Sequence, residues 1–200
     1  VYGRDILGLL AGAVRRERAS LRMLGLLALG SVPAGAAGVL LGDRVKSLFD
    51  SPLTASAMLL VTGGLLFATR WARPGTRRPG AVSAVVIGLA QAAALLPGIS
   101  RSGSTISAGL FRGLDREEAA RFSFLLSVPA IAGAGILELR GLDSAELGMH
   151  LPVGFVVAAV TGYSALRLLL RFVRRGRLHL FSWYCWAAGI AGILLIVLEG

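Results

Sequence analysis

Five stretches of about twenty mostly apolar residues run through this chain, at 21–41, 53–70, 119–137, 151–170 and 180–198. A helix needs about 20 such residues to cross about 30 Å of hydrocarbon. A soluble domain of this length carries about 25% charged residues. This sequence carries 16%, against 55% hydrophobic, and its charges are bunched between the apolar runs. The pattern is that of an all-α, polytopic membrane protein. Small residues let membrane helices approach closely. Gly35 with Gly38, Gly133 with Gly135 and Gly189 with Gly192 are therefore expected packing points.

A sixth apolar region, 81–113, is different. Its first arm, AVSAVVIGLAQAAALL, is short for a span and is broken by Pro97-Gly98. The polar run PGISRSGST follows, and then a second short arm, expected to be helical after Ser104. Arginine counting decides how this region crosses. The segment before the first span holds Arg4, Arg15, Arg16, Arg18 and Arg22. Loops 70–80 and 171–179 are also basic, whereas 42–52 and 138–150 balance or outweigh their bases with acids. The positive-inside rule puts the first three inside and the other two outside. Between loop 70–80 and loop 138–150 the number of crossings must be odd, and span 119–137 supplies one. Region 81–113 then crosses an even number of times, as a re-entrant hairpin that dips in and returns.

Local signals fill in the rest. Asp115, followed by Glu118 and an apolar run, reads as an N-cap and its capping-box partner. The 21 basic residues include a single lysine, Lys46, and the formal charge is +10. Beside membrane spans this basicity points to topology and lipid headgroups; no aromatic-interleaved basic motif points to nucleic acid. Cys185, the only cysteine, sits in an apolar run and reads as a small buried residue. His150 and His179 lie at span edges and are not expected to be ligands. Val1 is not an initiator methionine, and VYGRDILGLLAGAVRRERAS resembles no signal peptide; the sequence reads as part of a longer protein.

An arginine inside a membrane is rare and marks a functional site. Backbone that is not helical survives at that depth only when buried in protein or lining a wet cavity. The residues around Arg101 suit an oxyanion. The guanidinium is a rigid fork that matches phosphate bidentately. Ser100, Ser102, Ser104 and Thr105 add hydroxyls. Gly98 and Gly103 permit backbone angles that turn N–H groups toward an anion. The helix that follows aims its free amides and dipole at the same place. The run 81–114 contains no Asp, Glu, His, Lys or Cys. It can bind and polarise a phosphate and offer a serine, but it holds no carboxylate or imidazole base.

The run GLAQAAALLPGISRSGSTISAGL, the following GLDREEAARFSFLLSVPAI and the closing FSWY before the last span together resemble the undecaprenyl-diphosphate phosphatase, or bacitracin-resistance, family. The PGxSRSGxT signature is complete from Pro97 to Thr105, and the likeness covers essentially the whole chain. The resemblance implies an integral enzyme of the bacterial plasma membrane. It would cleave undecaprenyl diphosphate to undecaprenyl phosphate and inorganic phosphate, recycling the lipid carrier for peptidoglycan. It implies two inverted repeats, each a re-entrant helix pair followed by three spans. Residues 1–80 would end the first repeat and 81–200 would form the second. Arg101, Ser100, Ser102 and Thr105 would be catalytic, and Gly98, Gly103, Ser104 and Gln91 would bind substrate. Gln91 stands where the first repeat's motif would place a glutamate. That motif, with its paired glutamates and histidine, is expected ahead of Val1. A divalent metal, Mg or Ca, is implied with no ligand in this chain, and a homodimer is possible within the family. The alternative is a lipid-phosphate transporter or flippase built on the same anion cradle.

Overall fold

A computed structural model describes residues 2–73, 75–139 and 150–199. Among these residues the chain forms eight α-helices and no strand beyond one isolated bridge. They are α1 (Gly3–Val14), α2 (Arg18–Phe49), α3 (Pro52–Ala68), α4 (Ala81–Ala93), α5 (Arg101–Phe111), α6 (Arg116–Leu139), α7 (His150–Arg174) and α8 (Phe181–Glu199). Five stretches are long and apolar enough to span: Arg18–Gly42, Pro52–Trp71, Arg116–Ile136, Pro152–Arg174 and Leu178–Leu198. They fall on the five runs read from the sequence.

The sixth region is a hairpin of two short helices. At 1.5 Å per residue, α4 is about 20 Å long and α5 is shorter still, so neither crosses a bilayer. The two helices pack together. The residues flanking them also meet, because Arg77 bridges Leu114. The hairpin thus leaves from the end at which it entered, as the arginine count requires. Its break is a left-handed residue, Gly98, with φ +88°.

The core is centred on this hairpin. Ile87 of α4, Ile106 of α5, Leu114 and Leu126 of α6 are wholly buried. On one side α4 packs against α2, where a Cβ on Gly88 would strike the Gly30 carbonyl. On the other, α3 packs along α8. A Cβ on Gly63 would collide with the Trp186 indole, whose Nε1 donates to the Leu60 carbonyl at 3.2 Å.

Several local expectations are corrected. Residues 42–52, read as a loop, continue α2 as far as Phe49, so Arg44 and Lys46 lie on a helix. The second arm of the hairpin starts at Arg101 rather than after Ser104, because the Ser100 hydroxyl caps it by accepting from the Gly103 amide at 3.1 Å. Asp115 does cap α6, but through the Glu117 amide at 3.0 Å. Glu118 instead pairs with Arg121, and Glu117 with Arg174. Gly189 and Gly192 pack against α3 as expected, whereas Gly35, Gly38, Gly133 and Gly135 have open space at their Cβ positions. Most of loop 138–150, expected outside, lies outside the described residues.

Candidate functional site

The polar run of the hairpin is held from α3 by a residue that sequence reasoning missed. The Thr62 side chain is fully buried, and its hydroxyl makes two bonds to the loop. It donates to the Gly98 carbonyl at 2.9 Å and accepts from the Ser100 amide at 3.2 Å. One hydroxyl thereby fixes both sides of the turn into α5. Gly98 is pressed so close to α3 that a Cβ would run into the Ala55 carbonyl. Its positive φ and this approach together require glycine. A threonine in an apolar helix ordinarily bonds back to its own carbonyls, so nothing in VTGGLL identifies Thr62 as a clamp.

The turn presents Ser100, Arg101 and Ser102 at the start of α5. Arg101 is half-buried and makes no ion pair among the described residues. The Ser100 hydroxyl accepts from Gly103 and keeps its own proton to donate. The first-turn amides of Arg101 and Ser102 have no acceptor within the helix. The Ser100 and Ser102 hydroxyls and these amides thus lie where the helix dipole favours negative charge, with Arg101 between them in the chain.

The other residues singled out from the sequence sit deeper. Gly103 is in regular helix, so its value is closeness: a Cβ there would press on the Ser100 side chain and Leu66. Thr105 is 1% exposed, and its hydroxyl bonds the Arg101 carbonyl at 2.8 Å and Ser123 of α6 at 2.5 Å. It ties the start of α5 to α6 and does not face the loop. Ser104 and Gln91 are each 3% exposed, and their polar side-chain atoms have no hydrogen-bond partner among the described residues.

Two apolar grooves flank the turn. One, of about 500 Å³, is lined by Ser100 and Ser102 and walled by Leu59, Leu169, Tyr184 and the buried Cys185. The other, of about 340 Å³, runs past Ser104, Ala90 and Phe111. Thr62 reaches both, Gln91 and Arg101 neither. No three His, Cys, Asp or Glu side chains come together among the described residues. The described residues therefore supply no fitting ligand set for a divalent metal.

The family model of bacitracin resistance protein BacA matches residues 1–191. The chain belongs to the BacA family. Curated relatives agree with this. An undecaprenyl-diphosphatase of Methanothermobacter thermautotrophicus is 46% identical over 170 residues, which cover 81% of this chain and 94% of that one. The enzyme of the same name from Desulfatibacillum aliphaticivorans is 48% identical over 176 residues, 84% of this chain and 63% of its own. That of Desulfosudis oleivorans is 45% identical over 195 residues, 94% and 71% respectively. The chain thus spans nearly all of one BacA relative and about two thirds of the other two.

Proposed function

We propose that this chain carries the phosphate-gripping part of a membrane phosphatase. The enzyme cleaves undecaprenyl diphosphate into undecaprenyl phosphate and inorganic phosphate, and so returns the lipid carrier to wall synthesis. Membership of the BacA family and the shared name of its relatives support the reaction. The observation that carries the site is Arg101: a half-buried guanidinium without an acid partner among the described residues, at the capped start of a buried helix.

In this reading the diphosphate sits at the N-terminus of α5. Arg101 grips it through two parallel hydrogen bonds and holds the charge that builds up on the departing phosphoryl group. Ser100 and Ser102 donate their hydroxyl protons to it. The polyprenyl chain lies in the groove against α7 and α8, where Ser102 borders the apolar wall. Proton transfer and the attack itself require a base that α4 and α5 do not contain. The inverted-repeat arrangement, with 81–200 as one repeat, belongs to this proposal and supplies the place for a second hairpin. Transport by the same cradle is not favoured, because the relatives are named as diphosphatases.

The test is phosphate release from a long-chain polyprenyl diphosphate in liposomes, comparing wild type with Arg101→Ala in the full-length protein. Loss of release in the variant establishes the hydrolase and places Arg101 in its site. Wild-type protein that moves the lipid across the bilayer without releasing phosphate would overturn the proposal in favour of transport.

A further inference from the structure

A cavity of about 640 Å³ lies away from the PGISRSGST turn, at the opposite end of the hairpin. It is lined by Arg4 of α1, Arg22 of α2, Arg78 just before α4 and Arg121 of α6. The length of α4, about 20 Å, separates Arg78 from the hairpin's tip.

Two acids, Asp5 and Glu118, also line it, and both are engaged by one arginine. Arg121 reaches Asp5 at 2.8 Å and Glu118 at 3.5 Å. The Asp5–Arg121 pair fastens α1 to α6, and the Glu118–Arg121 pair lies within α6. Arg4, Arg22 and Arg78 are left with no acid partner among the described residues, and all three are exposed. Topology alone asks only that basic residues lie near the span ends. It does not ask that arginines from separate segments share a cavity. Like charges that line one cavity repel, and an anionic group among them offsets the repulsion.

The rest of the lining says what carries that group. Leu9, Met23 and Leu26 form an apolar wall beside the arginines. Arg22 and Met23 also lie in the first turns of a membrane span, at its arginine-rich end. A free phosphate ion has no use for an apolar wall, whereas a lipid places its headgroup at this depth with its glycerol and chains alongside. We propose that this cleft binds the phosphate headgroup of an anionic lipid in the arginine-rich leaflet, at a site separate from the Arg101 turn. It would anchor α1 against α2 and α6.

The test uses the purified full-length protein, stripped of lipid in detergent and titrated with phosphatidylglycerol, with bound lipid counted by native mass spectrometry. One phosphatidylglycerol per chain should be retained, and phosphatidylcholine should not. Each surface arginine is worth about fivefold in such binding, so Arg22→Gln with Arg78→Gln should weaken retention by about 25-fold. Arg171→Gln with Arg175→Gln, on the other basic segment, should leave it unchanged. Because Arg22 and Arg78 are exposed and unpaired, the variant should keep its helical content, which circular dichroism checks. Equal retention of phosphatidylcholine, equal loss from the Arg171/Arg175 pair, or displacement of the lipid by inorganic phosphate at the same concentration would each overturn the proposal.

Discussion

α5 and α7 invert the pattern of a soluble protein. α5 is rich in polar side chains, yet Gly103, Ser104, Thr105, Ile106 and Ser107 are all buried. α7 is mostly apolar up to its basic C-terminal turns, yet Val153, Phe155 and Val160 are 63%, 76% and 62% exposed. In water the first would face solvent and the second would form the core. In a bilayer the surroundings are as apolar as leucine, so exposing Phe155 costs nothing. Every unsatisfied polar group in hydrocarbon costs several kcal/mol. It is the polar helix that must be enclosed, and α3, α4 and α6 enclose it.

The sharpest way to break this contrast is at Arg101. Arg101→Lys keeps the charge and removes the planar fork; turnover on polyprenyl diphosphate should fall about 10²-fold, by analogy with loss of one preorganised donor. Near-normal turnover would exclude bidentate grip. Gly98→Ala comes next. It asks an L-residue to hold φ +88° while its Cβ meets the Ala55 carbonyl. It should destabilise the protein by about 1–3 kcal/mol, read as a lower unfolding temperature in detergent. An unchanged melting curve would show that the turn is looser than described.

Thr62→Val sharpens the comparison more gently. It keeps the shape and removes both hydrogen bonds to the turn, one donated and one accepted. Unpaired buried groups cost about 1–3 kcal/mol each, so activity should drop severalfold while the protein still folds, and Thr62→Ser should recover most of it. If Ser and Val behave alike, Thr62 is packing and not a clamp. The smallest effects belong to Val157→Leu on α7 and Cys185→Ser on α8. Both should leave activity and melting temperature nearly unchanged, although Cys185 borders the groove; a large loss in either would place that residue against substrate or another protein surface.

Much of this was readable from composition and order. The five spans, the hairpin and its return to the arginine-rich end follow from run length and charge, which the bilayer enforces over twenty residues at a time. The PGISRSGST run was legible because an arginine has no cheap place in hydrocarbon. Local detail was not. The start of α5 moved to Arg101 because the Ser100 hydroxyl found the Gly103 amide, and any of four hydroxyls in the run could have capped. Thr105 looked like part of the cradle and instead bonds Ser123, eighteen residues away in the chain.

The sequence by itself determined that this chain is a helical membrane protein with one polar re-entrant turn built around Arg101. Those properties are set by what each segment can transfer into lipid. Only the tertiary structure decided which glycines are packing points, Gly30 and Gly88 rather than Gly35 and Gly38, and which hydroxyl holds the turn. It also brought Arg4, Arg22 and Arg78 to one cavity. Contacts of that kind depend on how helices far apart in the chain cross. A run of small or basic residues offers many equivalent crossings, and packing selects among them.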